Sequence, residues 1–325
     1  MRTKCMVCVS FVALLALGRS LPLRGQTPPK REIDITIDDL PAGSANQMTG
    51  AEIVEMTTKL LTTLREQKVP AVGFVNEQKL YKKGEVDQRI QALDLWPENG
   101  FELGNHTFAH TSLNRVPLQA WEEEVIRGET VTRMVLAAHK MKLRYLRHPY
   151  LDAGLDLETR RQAEAFLNTR GYRVAPITMD AWDWMYGSVY EDARKRGDSA
   201  LAQQLVSSYL SHTTDVFEYY EKLSKTLFGY EPKQVLLLHG NWLEADHIGE
   251  LLELLGKRGY QFITLEDALS DGAYSSPDDY VGEGTGWLDH WAITRGQIPQ
   301  NTPVFPQWVL DKSREMHQRA AAAPK

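Results

Sequence analysis

The sequence predicts an α/β fold, a parallel sheet of about seven strands wound with helices into an irregular (β/α) barrel, with an open doubly covered sheet as the alternative. Two observations predict it. Short β-branched or apolar runs alternate along the chain with longer stretches of helical periodicity. Most of the short runs end in a polar residue able to do chemistry, as strands do whose C-terminal ends converge on one mouth. The bulk properties agree with one large domain: 325 residues, 42% apolar and 25% charged, with no low-complexity tract or short repeat. Disordered, collagen-like and solenoid classes are thereby excluded. Against 43 acidic residues stand 37 basic ones, a net charge of −6, and no dense basic stripe is present, so nucleic acid is not an expected partner.

Taken in order, the chain opens with Arg2 and Lys4 before an apolar run from Cys5 to Gly18 that only Ser10 interrupts. That run is too short to span a bilayer but has the length of a signal-peptide core, with Ala16 and Gly18 as small residues for cleavage. A signal peptide at 1–18 and a linker at 19–31 are therefore expected, with a retained anchor or a buried strand as the alternative. Export to a periplasmic or secreted location follows, with no stable membrane span after cleavage. Cys5 and Cys8, the two cysteines, both lie in the run. The remaining chain has no thiol, which leaves histidine and carboxylate as its available metal ligands.

The main domain is expected over 32–271. Its strand candidates are Ile33 to Asp38, Ala71 to Val75, Phe101 to Asn105, Leu143 to Arg147, Tyr172 to Ile177, Val235 to His239 and Gln261 to Thr264. Helical patterns lie around 52–67, 87–96, 118–140, 157–169 and 246–256. Residues 190–229 carry two helical patterns with no strand between them and read as a helical insertion. From Asp271 the rhythm is lost, and six aromatics (Tyr274, Tyr280, Trp287, Trp291, Phe305 and Trp308) accompany a Gly-rich stretch in a C-terminal extension at 272–325. Packing explains those aromatics most simply, and a wall for stacking sugars is the sharper alternative.

The strand ends supply the candidate chemistry. Asp38 and Asp39 are adjacent carboxylates that can point at different targets, although a turn and capping pair is the ordinary explanation. His106 and His110 are one helical turn apart and can meet one ion. Arg147 places a permanent cation where it can hold a carboxylate ionised, or it is a surface arginine before a turn. Asp180, Asp183, Trp182 and Trp184 pair carboxylates with indoles, able to orient and shield a histidine or merely to fill a core. His239 ends a fully apolar strand and suits a general acid. The remaining histidines, His139, His148, His212, His247, His290 and His317, have no comparable strand-end setting and default to core or solvated roles, although His148 and His247 lie near the expected mouth.

In this order, Asp38-Asp39, His106-x-x-x-His110, Arg147-x-Pro-Tyr150, Asp180-x-x-Asp183-Trp184 and Leu237-x-His239 resemble the five motifs of the polysaccharide deacetylase, or NodB-homology, family of carbohydrate esterases. The similarity spans roughly residues 32–270, and Gly259 to Leu269 resembles the usual last strand and helix of that domain. The resemblance implies a metal-dependent N-deacetylase on a distorted (β/α) barrel of seven strands, acting on an N-acetylated glycan. It implies that Asp39, His106 and His110 ligate a divalent ion, zinc first, with cobalt, nickel or manganese also suited to such donors. It further implies Asp38 as general base held by Arg147, the Tyr150 backbone N–H as oxyanion donor, and His239 as the acid that protonates the departing amine. Asp183 would orient His239 beside Trp184, and Leu237 would line the acetyl pocket. The chain departs from the family at Leu40-Pro41, where a glycine usually follows the aspartates, so a stiffer and bulkier loop is expected beside the base. Other readings are the same chemistry on an O-acetyl ester or small amide, a glycan-binding protein without turnover, and a two-carboxylate glycosidase, which the paired histidines disfavour.

Overall fold

The computed structural model describes residues 30–322, so the N-terminal apolar run lies outside the described residues. Eight strands, all joined in parallel, form one sheet. The first half of the chain lays down β1 (Arg31–Leu40), α1 (Gly50–Glu66), β2 (Ala71–Val75), α2 (Val86–Glu98), β3 (Glu102–Asn105), α3 (Leu118–Arg127), α4 (Thr130–Ala138) and β4 (Tyr145–Leu146). The second half adds α5 (Leu157–Thr169), β5 (Arg173–Val174), β6 (Met179–Asp180), α6 (Asp183–Lys195), α7 (Ser199–Phe228), β7 (Gln234–His239), α8 (Trp242–Lys257), β8 (Tyr260–Phe262) and α9 (Leu265–Ala268). Two further helices, α10 (Trp287–Thr294) and α11 (Gln307–Ala322), follow in the extension.

Strand order is β5-β4-β3-β2-β1-β7-β6, and β8 pairs with the first residues of β1, Arg31 to Ile33. The sheet curls without closing, because β5 and β6 are not paired to one another. This is the distorted barrel expected from the sequence.

β1 is the centre of the sheet and its pattern explains the layering. Ile33, Ile35 and Ile37 are fully buried on one face, and Asp34, Thr36 and Asp38 share the other, as the period of two requires. Removing each isoleucine side chain from water contributes about 1.5–3 kcal/mol. On the helical side, α1 begins with a capping box in which the Thr49 hydroxyl accepts from the Glu52 N–H and the Glu52 carboxylate accepts from the Thr49 N–H. Its Ile53, Met56, Leu60, Leu61 and Leu64 then form a buried stripe.

Several elements differ from the sequence reading for identifiable reasons. The long helix expected over 118–140 is two helices, broken at Gly128 and Glu129. A Cβ at Gly128 would stand 2.7 Å from the Phe108 N atom, so the break lets helix backbone approach the turn after β3. The strand expected from Tyr172 to Ile177 pairs only at Arg173 and Val174, and a separate strand, β6, takes up pairing with β7 at Met179 and Asp180. The helical stretch expected at 190–229 begins earlier, at Asp183, and comprises α6 and α7.

The C-terminal extension is built into the core. Leu288, Trp291 and Val309 are almost fully buried, and the Trp287 N–H donates to the Ile177 carbonyl at 2.8 Å, inside the gap between β5 and β6. Trp287 is also buried, so packing accounts for it and Trp291. Of the aromatics in the extension, Phe305 makes ring contact with the mouth, 5.6 Å from Trp182.

Candidate active site

The strand ends converge on a cavity of about 440 Å³ lined by Asp38, Asp39, His106, His110, Tyr150, Trp184, Leu237 and His239. Arg147 and Asp183 lie directly behind it, bonded to Asp38 and His239. The structure therefore brings together all ten residues singled out from the sequence. Register explains the closeness of the proposed base and acid: β1 and β7 are neighbours, and Asp38 pairs with His239 across them.

On one wall, His106 continues β3 by donating its N–H to the Val75 carbonyl. The turn after it is pinned by Asn105, whose Oδ1 accepts from the Thr107 N–H and whose Nδ2 donates to the Val125 carbonyl. The His106 Nδ1 lies 2.9 Å from the Arg147 carbonyl, an acceptor only, so that nitrogen carries the proton and Nε2 keeps its lone pair for the cavity. Burial lowers both His106 and His110 to a pKa of about 3, which leaves them neutral at neutral pH. Burial opposes ionisation of Asp39, but the Lys79 ammonium 2.8 Å away and the neighbouring histidines hold its carboxyl well below the usual range. Ligand atoms of Asp39, His106 and His110 lie within 4.8 Å of one another. One anionic oxygen and two neutral imidazoles are a donor set that fits zinc or a similar divalent ion.

Behind this wall stands Arg147, fully buried. Its Nε donates to the Ala175 carbonyl at 2.6 Å, Nη2 to the Thr36 hydroxyl at 3.0 Å and Nη1 to Asp38 Oδ1 at 3.2 Å, while the guanidinium covers the Phe74 ring. Burial raises the Asp38 pKa, and the attraction of Arg147 offsets this only in part. Arg147 therefore orients Asp38 and favours its charged form, while desolvation acts in the opposite sense. Deeper in the same interior, Asp34 has both carboxylate oxygens unpartnered, and burial raises its pKa well above the ordinary value.

The opposite wall treats its histidine differently. Asp183 is the first residue of α6, fully buried, and accepts from the His239 N–H at 2.9 Å and the Asn241 amide at 2.9 Å. Its other oxygen is 2.8 Å from His239 Nδ1. Burial alone would lower the pKa of His239, but Asp183 at that distance raises it to about 10, with the imidazole protonated at neutral pH. Asp180, also at the mouth, is pushed up to about 6 by burial.

The backbone at the mouth is unusual. Of nine described non-glycine residues with positive φ, six fall here: Asp39, Thr107, His110, Tyr150, Leu151 and Trp182. Each costs on the order of 1–3 kcal/mol and persists only where the surroundings impose it.

Sequence reasoning missed several neighbours. Lys79, in a 3-10 turn at Glu77–Leu80, carries no motif signal, and Asn241 was hidden as the cap of α8. His148, expected near the mouth but given only a core or solvated role, is buried against Trp121 and lines the cavity. Trp182 is 45% exposed and Trp184 46%, stacked 6.5 Å apart at the rim. Gly284, Thr285 and Gly286 line the cavity from the extension, beyond the motif-bearing region. No signal in the sequence points to them.

Neutral histidines, paired aspartates and a carboxylate-bound histidine thus share the mouth of a parallel barrel. In comparison with known proteins, the polysaccharide deacetylase family model matches residues 25–171. Residues 25–171 are thus similar to a polysaccharide deacetylase domain, and the last two of the five motifs lie beyond the matched segment on the same mouth. A peptidoglycan-N-acetylglucosamine deacetylase of Bacillus cereus is 25% identical over 155 residues, 48% of this chain and 47% of that protein, so the chain matches about half the length of this relative. Among solved structures, a mutant of BA3943, a Bacillus anthracis carbohydrate esterase family 4 pseudoenzyme, with restored activity, superposes with a TM-score of 0.50 at 17% identity. The alignment covers 75% of this chain and 69% of that one. This likeness shows the fold. Among the described residues, no helix is long and apolar enough to cross a membrane.

Proposed function

We propose that this protein hydrolyses N-acetyl groups from amino-sugar residues of a glycan, using a divalent metal, zinc first, and that it acts after export to the periplasm or medium. The observation that carries the reading is the facing of two walls across one cavity: Asp39, His106 and His110 beside Asp38 on one, and His239 on Asp183 on the other. An amide needs both a base to deprotonate water and an acid to protonate the amine, and the two walls supply them.

Asp39 Oδ, His106 Nε2 and a His110 ring nitrogen would hold the ion. Bound there, it would polarise the acetyl carbonyl and make water more acidic. Asp38 takes the proton of the attacking water, with Arg147 fixing the carboxylate. The Tyr150 N–H donates to the oxygen that gains charge as the carbonyl becomes tetrahedral. His239 passes its Nε2 proton to the nitrogen as the C–N bond breaks, and Asp183 holds Nδ1 so that the ring faces the cavity. Leu237, almost fully buried at the cavity wall, suits an acetyl methyl, and the exposed faces of Trp182 and Trp184 suit flanking sugars. The name of the Bacillus cereus relative makes N-acetylglucosamine of peptidoglycan the first substrate to try.

The test is acetate release from N-acetylglucosamine oligomers and peptidoglycan by the protein as isolated, after chelation, and after zinc is restored. Release lost on chelation and regained with zinc is expected. A protein that binds zinc but frees no acetate from any glycan, while cleaving acetylated xylan, would replace amide by ester chemistry. N-terminal sequencing of the exported protein checks the cleavage expected after residue 18.

A further inference from the structure

We infer that the C-terminal strap, residues 278–287, is a positioning element of the acyl site, and that Gly284 sets the backbone of Tyr150. This rests on the deacetylase reading, in which the Tyr150 N–H serves the reacting carbonyl. Tyr150 and Leu151 are consecutive non-glycine residues in the left-handed region, φ 58° and 61°. The short turn they occupy does not favour that conformation by itself, so neighbours must impose it.

The strap is that neighbour. A Cβ built on Gly284 would lie 1.9 Å from the Tyr150 carbonyl oxygen and 2.7 Å from the Leu151 carbonyl carbon, so strap backbone lies directly on the turn and glycine alone fits. One buried carboxylate ties the two together. Asp152, next in the turn, accepts from the Gly284 N–H at 2.9 Å, from the Asn114 amide at 2.9 Å and from the Ser112 hydroxyl at 2.5 Å. Asn114 reaches both partners as well, donating to the Gly282 carbonyl at 2.8 Å and accepting from the Gly154 N–H at 2.9 Å.

The strap is itself anchored at both ends. Asp278 holds Arg160 of α5 at 2.6 Å and His290 of α10 at 3.1 Å, and Trp287 donates to Ile177. Gly284, Thr285 and Gly286 then form one side of the cavity. Tyr150 is thus held between His110, 4.4 Å from its ring, and the strap beneath its carbonyl. Displacing the Tyr150 carbonyl changes the backbone torsions of Tyr150 and so misaims the N–H on its other side, and misplacement of about 1 Å costs on the order of a hundredfold in rate.

Gly284→Ala in the full chain tests this, with Asn114→Ala as the milder variant. Expected for Gly284→Ala are a kcat reduced by about ten- to a hundredfold on N-acetylglucosamine oligomers, a KM within about twofold, and unchanged zinc stoichiometry. Independently of activity, the amides of Tyr150 to Asp152 should exchange with deuterium at least about tenfold faster. A folded Gly284→Ala protein with wild-type kcat and exchange overturns the proposal, as does a loss of kcat matched by equal loss of zinc. If Gly284→Ala does not fold, Asn114→Ala decides: faster exchange confined to the turn supports positioning, and unchanged exchange overturns it. A wild-type protein that frees no acetate would remove the deacetylase reading, and the exchange measurement would still decide whether the strap sets the turn.

Discussion

Two histidine walls face one another across the cavity, and the same side chain is given opposite charge on each. His106 and His110 lie 3.6 Å from Asp38 and 3.7 Å from Asp39 respectively, without a short hydrogen bond to either, and desolvation leaves them without a proton. His239 is equally enclosed but has Asp183 at 2.8 Å, and it keeps one. Desolvation and nearby carboxylates are common to both walls, so the short hydrogen bond between Asp183 and His239 decides. Two neutral imidazoles and one protonated imidazole are thereby held around one small cavity.

The contrast can be broken at four points of decreasing size. His110→Ala removes a ligand position, and metal affinity and turnover should fall together by more than about a hundredfold, read by equilibrium zinc titration and acetate release. Asp38→Asn should keep zinc affinity while kcat drops by about 10²- to 10⁴-fold, and retained turnover in this variant would sink the assigned base.

Asp183→Asn acts on the other wall alone. It should cost roughly ten- to a hundredfold in kcat with zinc binding unchanged. It also moves a pH dependence. In metal-free protein, a histidine raised to about 10 contributes stability that is fully present below its ordinary value near 6.5 and is lost as pH rises towards 10. Without Asp183 that contribution should largely vanish, shown by thermal melts across pH 6–10 and by NMR titration of His239. Thr49→Ala, far from both walls, sharpens the comparison as a control: losing the capping box should lower stability by about 1 kcal/mol and leave kcat unchanged.

Much of this arrangement was legible because the signals are local. Ile33-Asp-Ile-Thr-Ile37 shows both its period and its polar terminus, and the His106 to His110 spacing shows that one ion can be shared. What stayed hidden depends on distant partners. β5 and β6 are two residues each and owe their existence to pairing with β4 and β7, which no propensity encodes. Gly128 breaks a helix because another turn presses on it, and Gly284 matters for the side chain it lacks, opposite a tyrosine far earlier in the chain. Lys79 reaches Asp39 from a turn without periodicity. The balance of forces on Asp38 was also unreadable, since the sequence names its cation but not its burial.

The open seam between β5 and β6 has a consequence for solubility. An unclosed sheet presents two free edges, and exposed edges are templates on which other chains can add strands. Here the edge strands β5 and β6 are only two residues long, β8 beside β1 only three, and the extension lays the Trp287 N–H against Ile177, between β5 and β6 in the chain. The last part of the chain therefore acts as a selvage, finishing the border of the sheet so that copies of the protein meet without a ragged edge to join.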